Sequence, residues 1–177
     1  MKMTQWKSLL VGLAAAVLLA ATSGCTDANE SNPADVKGFN YTDYYVDRFD
    51  IENEGQDLSA GGANMLPRRT GEERTESGGM CCIGIPRNWR PGMKLVVSWK
   101  VDKVQDGKTP GQWYTATTDV PPYGPHTYGF WVHFLPGDRI RVQILDKQEV
   151  PKKPDEHDPY IVQGVLDPQR NHPETEQ

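Results

Sequence analysis

The sequence has little of what hydrolytic, metal and phosphate chemistry requires. It contains three cysteines and four histidines in 177 residues. The histidines are His126, His133, His157 and His172, and no two are spaced as H-x-x-x-H or H-E-x-x-H, so no local motif sets two imidazoles on one metal. No G-x-S-x-G elbow occurs. Past residue 24 the only serines are Ser31, Ser59, Ser77 and Ser98, and Ser77 beside a histidine is the one nucleophilic arrangement left open. Gly61-Gly62 and Gly78-Gly79 lack the lysine and the following helix of a phosphate-binding loop. Basic residues are in deficit, 19 against 24 acids. That balance disfavours nucleic acid and offers no polybasic patch to lipid head groups. No internal repeat and no amphipathic helix stands out. No cofactor and no metal is expected, and the chain reads as a binding protein rather than an enzyme.

What is present begins with an export signal. Lys2 and Lys7 form a positive segment without acids, and the apolar run from Leu9 to Ala21 follows it. Thirteen residues suit a signal peptide and fall short of the roughly 20 of a spanning helix. Thr22, Ser23 and Gly24 then precede Cys25. Small residues before a lone cysteine resemble the bacterial lipobox, which implies cleavage after residue 24 and lipidation of Cys25. Each buried methylene contributes about 0.8 kcal/mol, so two or three acyl chains hold durably where one does not. By lipoprotein sorting rules Thr26, not being an acid, implies the outer membrane, facing the periplasm.

Removal of residues 1–24 leaves 177 − 24 = 153 residues, a single domain by length, with charge 17 − 24 = −7. With 14 prolines and 17 glycines, turns are favoured over long helices. Beyond Cys25 only Cys81 and Cys82 remain. An oxidising compartment favours a vicinal disulfide; the roughly 3.8 Å between adjacent Cα atoms opposes one. Both states stay open on sequence alone.

Residues 25–37 are expected to be a lipidated flexible tether and 168–177 a disordered tail, leaving 38–167 as one β-rich domain. Residues 39–51 read as a long or bent strand, although Asp43 and Asp47 share a face with Tyr41, Tyr45 and Phe49. Residues 52–80 read as a loop, and 81–86 as a short strand before a turn at Arg90-Pro91-Gly92. In 94–104, Leu95, Val97, Trp99 and Val101 alternate with polar residues, a clear half-buried strand. Residues 112–120 form a further strand, ended by Pro121, Pro122 and Pro125. Residues 128–134 and 139–145 flank Leu135-Pro136-Gly137-Asp138 as a hairpin, with Ile140, Val142 and Ile144 inward and Arg139, Arg141 and Gln143 outward. A last strand falls within 160–166. The fold class is therefore all-β, an antiparallel β-sandwich or barrel-like domain with long loops.

For binding, tryptophan and arginine are the usual energetic centres of interfaces. The residues singled out are Arg68, Arg69, Arg74, Trp89, Arg90, Trp113 and Tyr123. Trp89 and Trp113 could instead cover the sandwich or stack on sugars, while Trp99 belongs to the core. His133 reads as a packed or surface strand residue. Asp155, Glu156 and Asp158 around His157 form an acidic loop, at most a weak divalent-cation site.

Three segments carry a family resemblance: GFNYTDYYVDRFDI (38–51), SGGMCCIGIPRNWRPGMKLVVSWKVD (77–102) and VHFLPGDRIRV (132–142). Together they resemble a family of bacterial lipoproteins known as domain of unknown function 3304. Members are often encoded beside lipase effectors of the type VI secretion system. The resemblance implies an immunity protein, tethered to the membrane, that binds and neutralises an incoming phospholipase. It assigns no catalytic residues. On this expectation the loop 52–80 and the bend 119–128 are the candidates for plugging the lipase cleft. The alternative is a structural or glycan-binding envelope lipoprotein.

Overall fold

The computed structural model describes residues 31–54 and 59–172; the leader, Cys25 and the rest of residues 1–30 lie outside the described residues. The described chain is all-β. Its strands are β1 (Ser31–Asn40), β2 (Tyr45–Asn53), β3 (Ser59–Gly62), β4 (Thr75–Glu76), β5 (Met80–Pro86) and β6 (Lys94–Asp102). They continue with β7 (Gln112–Asp119), β8 (Gly129–Leu135), β9 (Arg139–Leu145), β10 (Val162–Gln163) and β11 (Val165–Leu166).

The strands form two sheets, and neither closes into a barrel. One runs β10-β9-β8-β1-β4, with β5 also paired to β1; the other runs β11-β7-β6-β2-β3. Pairing is antiparallel except between β1 and β8, which run parallel with Val36 opposite Phe130. That one parallel pair departs from the expected all-antiparallel arrangement.

Period-two patterning explains the core. On β6, Leu95, Val97, Trp99 and Val101 are all buried, as are Ile140, Val142 and Ile144 on β9. Their faces meet Val36, Phe49, Ile51 and Phe134 between the sheets. Removing a buried aromatic such as Trp99 costs about 3–5 kcal/mol. A second, smaller cluster of Phe39, Tyr41, Trp131, Leu135 and Leu145, with Ile161 against it, forms apart from this core.

Four boundaries differ from the sequence reading. The tether does not reach residue 37, because Ser31–Asn40 is strand, paired with Pro86 at its start and with Thr75 at its end. The expected strand 39–51 is two strands, broken at Tyr41–Tyr44 where the chain crosses between sheets. The loop 52–80 contains β3 and β4. The tail is packed as far as described: Asn171 bonds both the Trp113 amide and its carbonyl, and Arg170 pairs with Asp50.

Chain direction defines two ends. At the entry end lie Ser31, Asn53, Pro86, Lys94 and Asp119, with loops 87–93 and 120–128. At the far end lie the 41–44 crossover, the 63–74 loop, the 103–111 loop and the Leu135–Arg139 turn. A nine-residue strand such as β6 separates the ends by roughly 30 Å.

Candidate functional site

The far end is organised by one buried amide. Asn40 closes β1 and is fully buried. Its Nδ2 donates to the carbonyls of Tyr44 and Leu66, at 2.8 and 2.9 Å. Its Oδ1 accepts from the Thr42 amide and hydroxyl, at 3.0 and 2.7 Å. All four hydrogen-bonding positions of the amide are used, and the crossover at Tyr44 is joined to Leu66, 26 residues beyond Asn40. The Thr75 hydroxyl also donates to the Leu66 carbonyl. A third loop joins them, since Gln105 Nε2 donates to the Asp43 carbonyl at 2.9 Å. Lys103 donates to Asp138 and to the Tyr114 hydroxyl, each at 2.8 Å. Burial works against the charge on Lys103, but these hydrogen bonds outweigh it and hold the ammonium above the usual lysine pKa.

A polar network joins the second aromatic cluster. His133 is fully buried on β8. Its Nδ1 lies 3.3 Å from the Tyr41 hydroxyl and its Nε2 lies 3.1 Å from Gln143 Oε1. Burial, reinforced by Arg141, drops its pKa to about 3, so it is neutral across the physiological range. Arg141 in turn pairs with Asp158 at 3.1 Å, and the Arg74 guanidinium lies 4.1 Å over the Phe39 ring.

The seven residues expected to bind a partner fall in three places. Arg68, Arg69 and Arg74 belong to the 63–74 loop and its exit at the far end. Arg68 pairs with Asp43 at 3.1 Å and Arg74 with Glu76 at 3.2 Å. Trp89, Arg90 and Tyr123 come together at the entry end. There Trp89 Nε1 donates to the Val120 carbonyl at 2.9 Å, and the Tyr123 hydroxyl donates to the Pro86 carbonyl at 2.7 Å. Burial pushes the Tyr123 hydroxyl up to about 12, with Arg90 opposing. Trp113 stands on β7, where the guanidiniums of Arg48 and Arg170 lie 5.8 and 4.7 Å from its ring. The ring is thus engaged by two cations, which disfavours it as an open stacking platform for sugars.

Within the expected loop 52–80, the 63–74 stretch lies at the far end, whereas its start at Asn53 lies at the entry end with the 119–128 bend.

The chemically suggestive residues are occupied structurally. The Ser77 hydroxyl accepts from the Gly38 amide at 2.7 Å, while the Ser77 amide returns a bond to the Gly38 carbonyl at 3.0 Å. Asp158 is committed to Arg141, and Asp155 Oδ1 accepts from the His157 amide at 2.8 Å. Among the described residues, the grouping with metal-ligand spacing is Asp35, Cys81 and Cys82 instead of the 155–158 loop. There the two cysteines form a vicinal disulfide on β5, exposed and 4.0 Å from the Asp35 carboxylate. Gly62 is accounted for by packing, because its backbone runs against the Phe49 ring. Two clefts at the sandwich ends each have room for about 10 Å³, roughly one water, far below the roughly 300–1,000 Å³ of a small-molecule site.

Asn40 and Arg141 escaped sequence reasoning. The signal for Asn40 was the broken alternation at 41–43, which marks the crossover it anchors. Nothing local flags Arg141, whose partner lies 17 residues away on a loop.

A family model described as protein of unknown function (DUF3304) matches residues 39–142. No curated protein and no solved structure matches the chain.

Proposed function

The chain belongs to the DUF3304 family of proteins of unknown function, and from that premise we propose that it is an immunity lipoprotein. Anchored by lipid on Cys25 in the periplasm, on the outer membrane by its Thr26, it binds and neutralises a phospholipase effector of the type VI secretion system. The observation that carries a binding role is the use of the reactive side chains. Ser77 and His133 are spent on internal hydrogen bonds, whereas Arg68, Arg69 and Arg90 stand at the surface on the loops. Such a surface suits recognition rather than turnover. The physics of tethering supports the same reading: a guard held at the membrane is concentrated where the lipase acts. Protection calls for tight binding, and a nanomolar complex needs about −12 kcal/mol.

The test is co-expression of the full chain with the product of the adjacent open reading frame, directed to the periplasm. Growth restored by the wild-type protein supports immunity. Equal lysis with and without it refutes the reading. A Cys25→Ser variant that leaves protection unchanged would remove the lipid anchor from the account.

A further inference from the structure

Disulfides ordinarily stabilise a fold by closing a loop, and the gain grows with the length of chain enclosed. Cys81 and Cys82 are adjacent, so their bond closes no loop and ties no two elements together. Nor does it fill the core. Ile83 and Ile85 point inward from β5, and strict alternation would carry Cys81 to the same face. Instead Met80, Cys81 and Cys82 are all exposed.

The register explains why. Ala34 pairs with Ile83 and Val36 with Met80, so one residue of β1, Asp35, stands opposite both cysteines. Two residues facing one make a β-bulge, a device that re-aims side chains and recurs at sheet edges and beside functional sites. β5 is such an edge: among the described residues it pairs only with β1. The approach along the strand is open as well, since a Cβ at Gly78 would meet nothing within 4 Å.

We infer that Cys81–Cys82 is a thiol–disulfide exchange site, a bond whose use is its reactivity and whose co-reactant is a dithiol. A thiolate of the dithiol attacks one of the two sulfurs. The Cys81–Cys82 bond breaks, a mixed disulfide forms, and the displaced cysteine leaves as a thiolate. The second thiolate of the co-reactant attacks the mixed disulfide and frees the other cysteine. Two electrons pass to the cysteine pair, the dithiol becomes a disulfide, and its two protons end on Cys81 and Cys82. Asp35 sets the pace, because its carboxylate, 4.0 Å from the Cys82 sulfur, repels the incoming thiolate. The inference stands on β1 and β5 alone and does not depend on the immunity reading.

The test uses the full chain, folded and air-oxidised, with dithiothreitol as the dithiol. Released thiols are counted against a Cys81→Ser/Cys82→Ser variant, which subtracts any contribution of Cys25. Both cysteines are expected to appear as thiols at nearly the rate of the same chain unfolded in urea. A bond shielded by the fold would react at least about 1,000-fold more slowly, following the small fraction of chains unfolded. The melting midpoint of the reduced protein should stay within about 4 °C of the oxidised one, since nothing is cross-linked. Asp35→Asn should quicken reduction about fivefold at low salt, the effect of one unit charge about 4 Å away in water, and the gain should fade in about 1 M salt. Release of the thiols only on unfolding overturns the inference, as does a reduced protein that melts far lower, which would make the bond structural. Two free thiols before any reductant is added overturn it as well. An unchanged rate in Asp35→Asn refutes the part given to that carboxylate.

Discussion

His133 and Tyr41 lie stacked, ring centroids 5.8 Å apart and planes 10° from parallel, with the imidazole Nδ1 3.3 Å from the phenolic oxygen. The histidine comes from β8 and the tyrosine from the crossover after β1, 92 residues away in sequence. Gln143 holds the other ring nitrogen. Arg141 and Arg74 add positive potential around the ring, Asp158 partly offsets it, and the Lys153 ammonium lies over Tyr41.

This setting makes stability fall with acid. The folded pKa of His133 is about 3 and its unfolded value about 6.5, so the unfolded chain takes up a proton first. The favourable contribution of neutral His133 is complete above pH 6.5 and is lost progressively as pH drops from 6.5 towards 3. At pH 5 the loss is about 2 kcal/mol, at roughly 1.4 kcal/mol per pH unit. Urea denaturation of wild type and His133→Gln at pH 7.5 and 5.0 measures it. The difference between the two pH values should shrink by about that amount in the variant, because the carboxylates that also titrate are common to both proteins. An unchanged difference would show that His133 does not titrate in this window.

Asn40→Asp is expected to destabilise the fold by about 2–4 kcal/mol. The change keeps the shape but replaces the two N–H bonds to Tyr44 and Leu66 with a buried carboxylate facing carbonyl oxygens. Hydrogen exchange should quicken at Thr42 and Tyr44, whose amides are held by Asn40 and Thr42 side chains, and in the 63–68 segment. Uniform protection with unchanged urea midpoint would refute the role of Asn40 as the link between these loops.

The contrast between β6 and β1 explains what sequence could and could not reveal. Leu95, Val97, Trp99 and Val101 announce their face locally, since every second residue is apolar and all are buried. The same holds for β9 and its hairpin with β8. The opening of β1 reads Ser31-Asn32-Pro33-Ala34-Asp35-Val36-Lys37, with only Ala34 and Val36 to bury. Its strand character comes from pairing with β5 and with β8, both distant in sequence, so composition suggested a tether. The residues of the far end fall into separate expected elements, Asn40 and Tyr44 in the expected strand 39–51, Leu66 in the loop 52–80 and Val104 at the end of the expected strand 94–104. Their assembly depends on Asn40 reaching Leu66 and on Gln105 reaching Asp43, contacts that no local window contains. Trp89 and Tyr123 are each expected to bind a partner, yet each turns its polar atom to a backbone carbonyl that only the folded chain supplies.

Gly61 and Gly62 are adjacent on β3 but face different surroundings. A Cβ at Gly62 would overlap the Phe49 ring, which is fully buried and has no room to retreat. A Cβ at Gly61 would meet the Asp50 carboxylate at 3.5 Å, an ordinary contact. Gly62→Ala is therefore expected to destabilise by about 1–3 kcal/mol through overpacking, and Gly61→Ala by less than about 1 kcal/mol. Thermal melts of the two variants decide it, and similar melting temperatures would contradict the close approach of β3 to Phe49.

Arg141 and Asp158 offer the sharpest separation between a pair that stabilises and a pair that is only hard to break. Their side chains are 14% and 16% exposed, and Nε meets Oδ2 at 3.1 Å. Arg141 Nη1 is buried with no hydrogen-bond partner among the described residues. Removing only the acid, in Asp158→Asn, strands a guanidinium that already has one unsatisfied donor, and should cost about 3 kcal/mol or more. Removing both charges, in Arg141→Met/Asp158→Leu, eliminates the unsatisfied donor together with the desolvation of the pair. The double variant should then lie within about 1 kcal/mol of wild type or above it. Urea denaturation of wild type, Asp158→Asn and the double variant measures both effects. A double variant as unstable as Asp158→Asn would mean that the pair contributes net stability, and that burial of Nη1 costs the fold little.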